Sequence, residues 1–333
     1  MNLTTAERVD LLNIGLMLIA ACVAMILPFE LFIFVYAVLG PLHYLTEISW
    51  LHDRRYFTKG RYDAVWLLVV GITLMFVFFA RQLELEFPPM FDSNLMFIAF
   101  LSALIFVTVK NNIYKIGGII LLVFASQVAH NFNYFFTVFI PTLIHVYVFT
   151  ALFVIFGAIK NKSRLGFVSV AVMVLIPFAL YNIYPDTAFY PVQEYSKDAY
   201  KPFRILNIVW LRFIAQVPDL VNTEESWNRL VFNSTQGILL MRFIAFAYTY
   251  HYLNWFSKTK VIQWHNIPRL RFVLVIVLWL ASIGIYLYDY MLGMQWLLFI
   301  SFMHVLLELP LNFVSIIGIS TFVKNKVFKP TAR

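Results

Sequence analysis

An all-α, polytopic membrane helix bundle of about ten spans is the fold class this sequence predicts, and three observations predict it. Of its 333 residues, 62% are hydrophobic and only 13% are charged, about half the charged share of an ordinary soluble domain. That excludes a water-soluble globule. Apolar stretches of roughly 16 to 25 residues recur along the whole chain, each long enough at a 1.5 Å rise to cross a hydrocarbon core about 30 Å thick. Of the 25 lysines and arginines, 18 fall in segments that ten alternating spans place on one side, the bias that marks the cytoplasmic face.

In order, the apolar segments run at about 11–27, 31–50, 64–80, 94–109, 116–130, 137–159, 165–184, 237–256, 272–290 and 295–320. The first is not read as a signal peptide: Arg8 is a thin basic region, no small-residue cleavage site follows Ala24, and apolar sequence continues into the second. The basic clusters are Arg8; Arg54, Arg55, Lys59 and Arg61; Lys110 and Lys115; Lys160, Lys162 and Arg164; Lys258, Lys260, Arg269 and Arg271; and Lys324, Lys326, Lys329 and Arg333. Both termini are therefore expected in the cytoplasm, and the chain, 1–333, is read as one multi-pass domain of the cell membrane, the cytoplasmic membrane if the source is bacterial. Lipids are its expected partners. The net charge of +8 carries no nucleic-acid meaning, because it is spread over these short clusters between apolar segments. Cys22 is the single cysteine, so neither a disulfide nor a zinc knuckle is available.

The longest connection, 185–236, reads as an external cap. It opens on a Pro- and Tyr-rich run (Tyr184, Pro185, Tyr190, Pro191, Tyr195), and from Phe203 to Val217 the spacing of Ile205, Ile208, Val209, Arg212 and Phe213 predicts an amphipathic interfacial helix with Arg204 and Arg212 snorkelling.

Ionisable groups inside spans are costly unless paired or wetted, so they point to function. His43, His145, His251 and His304 fall within spans, and His130 sits at the outer end of the fifth. His43 and Glu47 are four residues apart, as are His304 and Glu308, which puts each pair on one helical face. A neutral imidazole binds a divalent metal through one ring nitrogen, while a carboxylate ligates the metal or orients the ring. Imidazole with carboxylate suits iron, zinc or manganese, and open positions on iron allow oxygen chemistry. The same spacing also suits a simple internal hydrogen bond. By linear position His43, Glu47 and His251 fall in the cytoplasmic half and His145 and His304 nearer the outer half, so the sequence allows one polar site or two. Arg242 is a candidate to bind a substrate anion or lipid phosphate, though its place near the outer surface favours snorkelling. Thirty-five Phe and eighteen Tyr allow an aromatic-walled cavity for a long apolar ligand as well as plain packing bulk.

Three stretches resemble the bacterial Brp/Blh family of membrane β-carotene 15,15′-dioxygenases: a Gly-x-x-His-x-x-x-acid unit (Gly40, His43, Glu47), an aromatic-rich span leading to a polar and basic loop (His251, His265), and a closing His-x-x-x-acid unit (His304, Glu308). The resemblance implies a non-haem iron held by His43, His251 and His304, with His145 as the histidine of a middle span. Glu stands where that family usually has Asp, and Trp255 where a second histidine would follow His251 by a turn.

The leading expectation is a metal-dependent oxidoreductase acting on a small lipid-phase substrate such as a carotenoid. Iron is held by His43, His145, His251 and His304, and Glu47 and Glu308 serve as the catalytic carboxylates that orient them. A haem protein clamped by two histidines and a proton- or ion-coupled transporter with a titrating His/Glu pathway are the alternatives. No His-x-x-His-His box is present, which disfavours a diiron desaturase.

Overall fold

The computed structural model describes residues 4–183, 190–215 and 223–328; the side chains of 128–130, 213–215, 327 and 328 lie outside that description, so that of the residues named from the sequence Tyr184, Pro185, Val217, Lys329 and Arg333 and the side chains of His130 and Phe213 fall outside it. Every described element is helical. In chain order these are α1 (Thr5–Ile26), α2 (Pro28–Phe34), a π-helical turn at Val35–Leu39, α3 (Gly40–Asp53), a tight turn at Arg55–Phe57, α4 (Asp63–Gln82), α5 (Phe91–Thr108) and α6 (Asn112–Ala125). A 3-10 turn at Ser126–Phe132 and a π-helical segment at Phe135–Phe149 lead to α7 (Thr150–Asn161), α8 (Arg164–Asn182) and α9 (Glu194–Tyr200). Then come α10 (Arg204–Ala215), α11 (Glu224–Phe232), α12 (Thr235–Ser257), α13 (Thr259–Ile262), α14 (Arg269–Tyr288) and α15 (Tyr290–Phe328).

All ten apolar segments are mainly helical over their described residues, but among the described residues eight runs are long and apolar enough to cross a membrane, and nine if the bent pair α11 and α12 counts as one. The shortfall is α6. It keeps α-helical geometry for 14 residues, about 21 Å, before the more polar sequence Ser126–Phe132 tightens into 3-10 turns. Large apolar side chains on the outward faces are left bare, among them Leu121 at 68% and Phe124 at 76% exposure. Helices dressed this way suit a hydrocarbon solvent.

The chain divides into two compact units, residues 1–40 with 146–263 and residues 41–145 with 264–333. In the first, α12 packs against α1, α2, α8, α10 and α11. Apolar residues are buried all round it, as an enclosed helix requires, with Arg242, Thr249, His251 and Asn254 as buried polar exceptions. Ser234 Oγ caps it by accepting from Gly237 N–H at 2.9 Å, and the 66° bend from α11 brings Leu230 O within 2.3 Å of where a Cβ on Gly237 would stand. Only glycine fits there. Arg242, on α12, is fully buried, so the expected snorkelling is corrected: the helix that carries it is enclosed rather than peripheral. The expected interfacial helix is α10, which buries Leu206, Ile208, Val209 and Leu211 and packs on α11 and α12. Ile205 points out instead, 51% exposed. Glu30 of α2 ties down the segment before α10, accepting from Ser196 Oγ at 2.6 Å and from the Tyr190 hydroxyl. Burial, with the Glu30 carboxylate beside it, pushes the Tyr190 phenol well above its ordinary pKa.

In the second unit α15 is the central element, packed on α4, α5, α14 and the Arg55–Phe57 turn. Gly71 of α4 permits the closest approach: a Cβ there would lie 2.7 Å from Met303 Cε and 2.9 Å from Leu306 Cδ1. Small residues at such crossings let apolar helices gain dispersion contacts where no hydrophobic drive exists. At one end, Lys115 Nζ donates to Asp63 Oδ2 at 2.5 Å with both side chains buried. Lys115, read from the sequence as a loop charge, is thus a structural cation. Arg271 of α14 forks onto Asp53 at 2.8 and 3.1 Å.

Candidate metal centre

Two helical segments of the second unit bring polar side chains to α15, and each of the three elements has a proline nearby. Pro41 precedes His43 by two residues, Pro310 follows Glu308 by two, and Pro141 lies one turn before His145 inside the π-helical segment. Proline removes a backbone donor, and a π-turn widens the helix by a residue, so ring directions here depart from a regular 3.6-residue repeat.

His43, Glu47, His145, His304 and Glu308 are each no more than 2% exposed. His304 is central. Its ring centroid lies 4.9 Å from that of His145 and 5.3 Å from that of His43, and the Tyr44 ring stacks on it at 4.3 Å and 25°. The depth split expected from linear position assumes a helix beginning near 295. In fact α15 begins at Tyr290, so His304 is fourteen residues in, while His43 is fifteen residues beyond Pro28 in the run Pro28–Asp53. One residue of offset amounts to about 1.5 Å.

His43 Nε2 lies 3.1 Å from Glu47 Oε2, the spacing-predicted pair. The second spacing-predicted pair, His304 and Glu308, has its donor atoms within 4.8 Å together with those of His145, and the nearer approach of Glu308 Oε2 is to His145 Nδ1 on another segment, at 3.2 Å. His304 Nδ1 meets the Ser301 carbonyl one turn back. A carbonyl only accepts, so Nδ1 of His304 carries the proton and Nε2 presents its lone pair. That lone pair faces His145 Nε2 at 3.0 Å.

Two proton arrangements satisfy this chain. In one, His145 Nε2–H donates to His304; Nδ1 of His145 is then a lone pair beside Glu308, and the carboxyl must be protonated. In the other, Glu308 is ionised and faces His145 Nδ1–H. Both Nε2 lone pairs then face each other, and the space between them takes a metal ion or a proton that makes His145 an imidazolium. With a metal ion there, this second arrangement would match the carboxylate–histidine–metal pattern in which an acid fixes tautomer and ring orientation, although the 3.2 Å approach of Glu308 to His145 Nδ1 is not aligned as a hydrogen bond. Imidazole nitrogens sharing one transition metal at about 2.0–2.1 Å stand roughly 3.0–3.4 Å apart, and 3.0 Å falls in that range. Donor atoms of His145, His304 and Glu308 all lie within 4.8 Å of one another. The residues therefore fit a metal ion.

His251 belongs to the first unit, buried on α12, with Thr150 Oγ1 2.7 Å from its Nδ1. Ser301 and Tyr44 went unread in the sequence. Ser301 precedes His304 by three residues, which would have flagged its carbonyl, whereas nothing marks Tyr44 among eighteen tyrosines. Comparison with protein-family models, with curated proteins and with solved structures gives no match. What fold and site define is an all-helical chain with apolar helices long enough to span a membrane and a buried histidine–carboxylate cluster able to hold a metal.

Proposed function

We propose that this chain is an integral-membrane, metal-dependent oxidoreductase acting on a lipid-phase substrate, with His43, His145 and His304 as donors to a non-haem iron. The observation that carries the reading is the pair of Nε2 atoms 3.0 Å apart, with the His304 proton committed to Ser301 and Glu308 behind His145. Iron, when bound by neutral imidazoles with positions left open, supplies oxygen chemistry. The protein's own part is orientation and exclusion. Ser301 and Glu308 set the tautomers of two rings, Glu47 orients His43, Tyr44 stacks on His304, and the surrounding apolar side chains keep water away. The resemblance to Brp/Blh dioxygenases supports the same assignment and a carotenoid-like substrate. Haem is disfavoured, since axial imidazoles on opposite faces of a porphyrin hold their nitrogens about 4 Å apart with the macrocycle between them. Threading with both termini cytoplasmic requires α6 with its 3-10 continuation to cross as well; protease accessibility of tagged termini in sealed vesicles tests it.

Elemental analysis of the purified protein is the deciding experiment. Near-stoichiometric iron, zinc or manganese that drops in His43→Ala, His145→Ala and His304→Ala supports the proposal; absent metal, or content unmoved by these variants, removes it. A second reading, a proton-coupled transporter, is favoured by the same 3.0 Å contact if a proton bridges the rings. It requires pH-dependent transport that survives rigorous metal removal.

A further inference from the structure

Among the described residues, Arg55, Tyr56 and Phe57 form the one run of three consecutive non-glycine positions with positive φ, at 50°, 54° and 59°. Left-handed backbone is strained for residues that carry a Cβ, and it persists where the surroundings over-determine it, often at ligand sites. Here the turn closes through Phe57 N–H to Arg54 O at 3.0 Å and Thr58 N–H to Arg55 O at 3.1 Å. Beside it lies a cavity of about 740 Å³, within the roughly 300–1,000 Å³ of small-molecule sites. Arg55, Lys59 and Arg61 line it from the turn side, Val65 and Leu68 from α4, and Leu307 from α15.

The charge in this cavity is uncompensated. Asp53 is taken by Arg271 and Asp63 by Lys115, while Lys59 Nζ donates to the Thr108 carbonyl at 2.8 Å. Arg61 meets the Tyr62 ring, at 5.5 Å. No carboxylate among the described residues pairs with Arg55 or Arg61. A cationic rim joined to an apolar wall complements one kind of ligand, an anionic head on a hydrocarbon tail. A guanidinium fork matches a carboxylate's two oxygens, and the bond is charge-assisted.

We infer that this cavity binds a single-chain lipid with a carboxylate head, that is, a long-chain fatty acid. Arg55 and Arg61 hold the head, and the tail lies along Val65 and Leu68 toward Leu307. Leu307 stands on the turn of α15 between His304 and Glu308, so the tail is led to the helix turn that carries the histidine cluster, and acidic amphiphiles become the substrate class. Binding stands on the cavity and its charges; only the identification as substrate rests on the metal reading proposed above.

Equilibrium binding of radiolabelled oleate to the full chain in uncharged detergent tests it, with oleyl alcohol, a phosphate-headed single-chain lipid, acetate and inorganic phosphate as competitors. Saturable binding is expected, weakened about tenfold or more by Arg55→Gln/Arg61→Gln, the scale of one hydrogen bond to a charged group, and blocked by Leu68→Trp. Oleyl alcohol competes at least tenfold less well, and acetate and phosphate not at all. Equal affinity for acid and alcohol, or a double variant that binds as well as the wild type, overturns the inference in favour of partition into the detergent belt. Competition by free phosphate, or tighter binding of the phosphate-headed lipid, overturns the carboxylate assignment. Metal measured on the same samples separates the two proposals: oleate binding by a metal-free protein leaves this site standing and removes the oxidoreductase reading.

Discussion

Two sets of ionisable side chains are buried in the same unit, and they are satisfied in opposite ways. Asp63 and Lys115 make a closed pair: one carboxylate and one ammonium at 2.5 Å, with Gly60 N–H donating to the same oxygen at 2.7 Å and the Phe106 ring 5.6 Å from the ammonium. Charge cancels, and nothing is left to bind. The His304 cluster has, among the described residues, three imidazoles and two carboxylates, with no lysine or arginine paired to either acid. With neutral rings and ionised acids that cluster is two charges short, which a divalent cation or two protons would supply. Burial therefore separates function from architecture only when the donors are counted.

The largest effect should come from the closed pair. Removing one partner strands a buried charge at a cost of about 3–5 kcal/mol, so Lys115→Ala should lower the unfolding temperature sharply while metal per folded molecule stays the same. Asp63→Asn/Lys115→Met, which removes both charges, should recover most of that stability. A change of metal stoichiometry in Lys115→Ala would show that the two sets are not independent. Next comes ligand linkage at the cluster. Saturating a site at about a hundred times its Kd stabilises by about 2.7 kcal/mol, so adding iron or zinc to stripped protein should raise the melting temperature of the wild type. His304→Ala should not respond, and an equal shift in both would place the metal elsewhere. Smaller again is Glu308→Gln. Loss of the carboxylate behind His145 should weaken metal affinity about 10- to 100-fold, the usual effect of a partner that orients a ligand. Glu308→Asp should fall between.

The same comparison explains what was legible in the sequence. All ten apolar segments are mainly helical over their described residues, because hydrophobic run length survives any tertiary arrangement. The His43–Glu47 pair was legible for a related reason: both residues sit on one regular helix, α3, and the contact is local. The particular partner of Glu308 was not legible, because spacing shows which side chains share a face, not which tertiary partner comes nearest. Ser301 holds His304 Nδ1, and the π-helical segment at Phe135–Phe149, distorted at Thr142 (φ −117°, ψ −106°), delivers His145 to the acid. Lys115 was misread for the converse reason: a lysine near a span end looks like a loop charge until its distant partner is known. The Arg55–Phe57 turn left no trace, since left-handed backbone is announced by Gly or Asn and neither occurs there.

The smallest effect belongs to Tyr44, and it tests whether the cluster is a rigid receptacle or a set of neighbours. Its ring lies on His304 at 4.3 Å with 25° between the planes, a stacked contact worth about 0.5–1.5 kcal/mol beyond burial. Tyr44→Leu keeps an apolar side chain there and removes the stack. If stacking holds the His304 ring in its metal-binding orientation, metal affinity should fall a few-fold, on top of a loss of stability from the packing of the buried Tyr44 side chain. In a His304→Ala background the substitution should leave metal content unchanged and cost less stability than in the wild type, because the coupling between contacting residues disappears with either partner. An equal loss of stability in both backgrounds would mean that Tyr44 fills space and orients nothing.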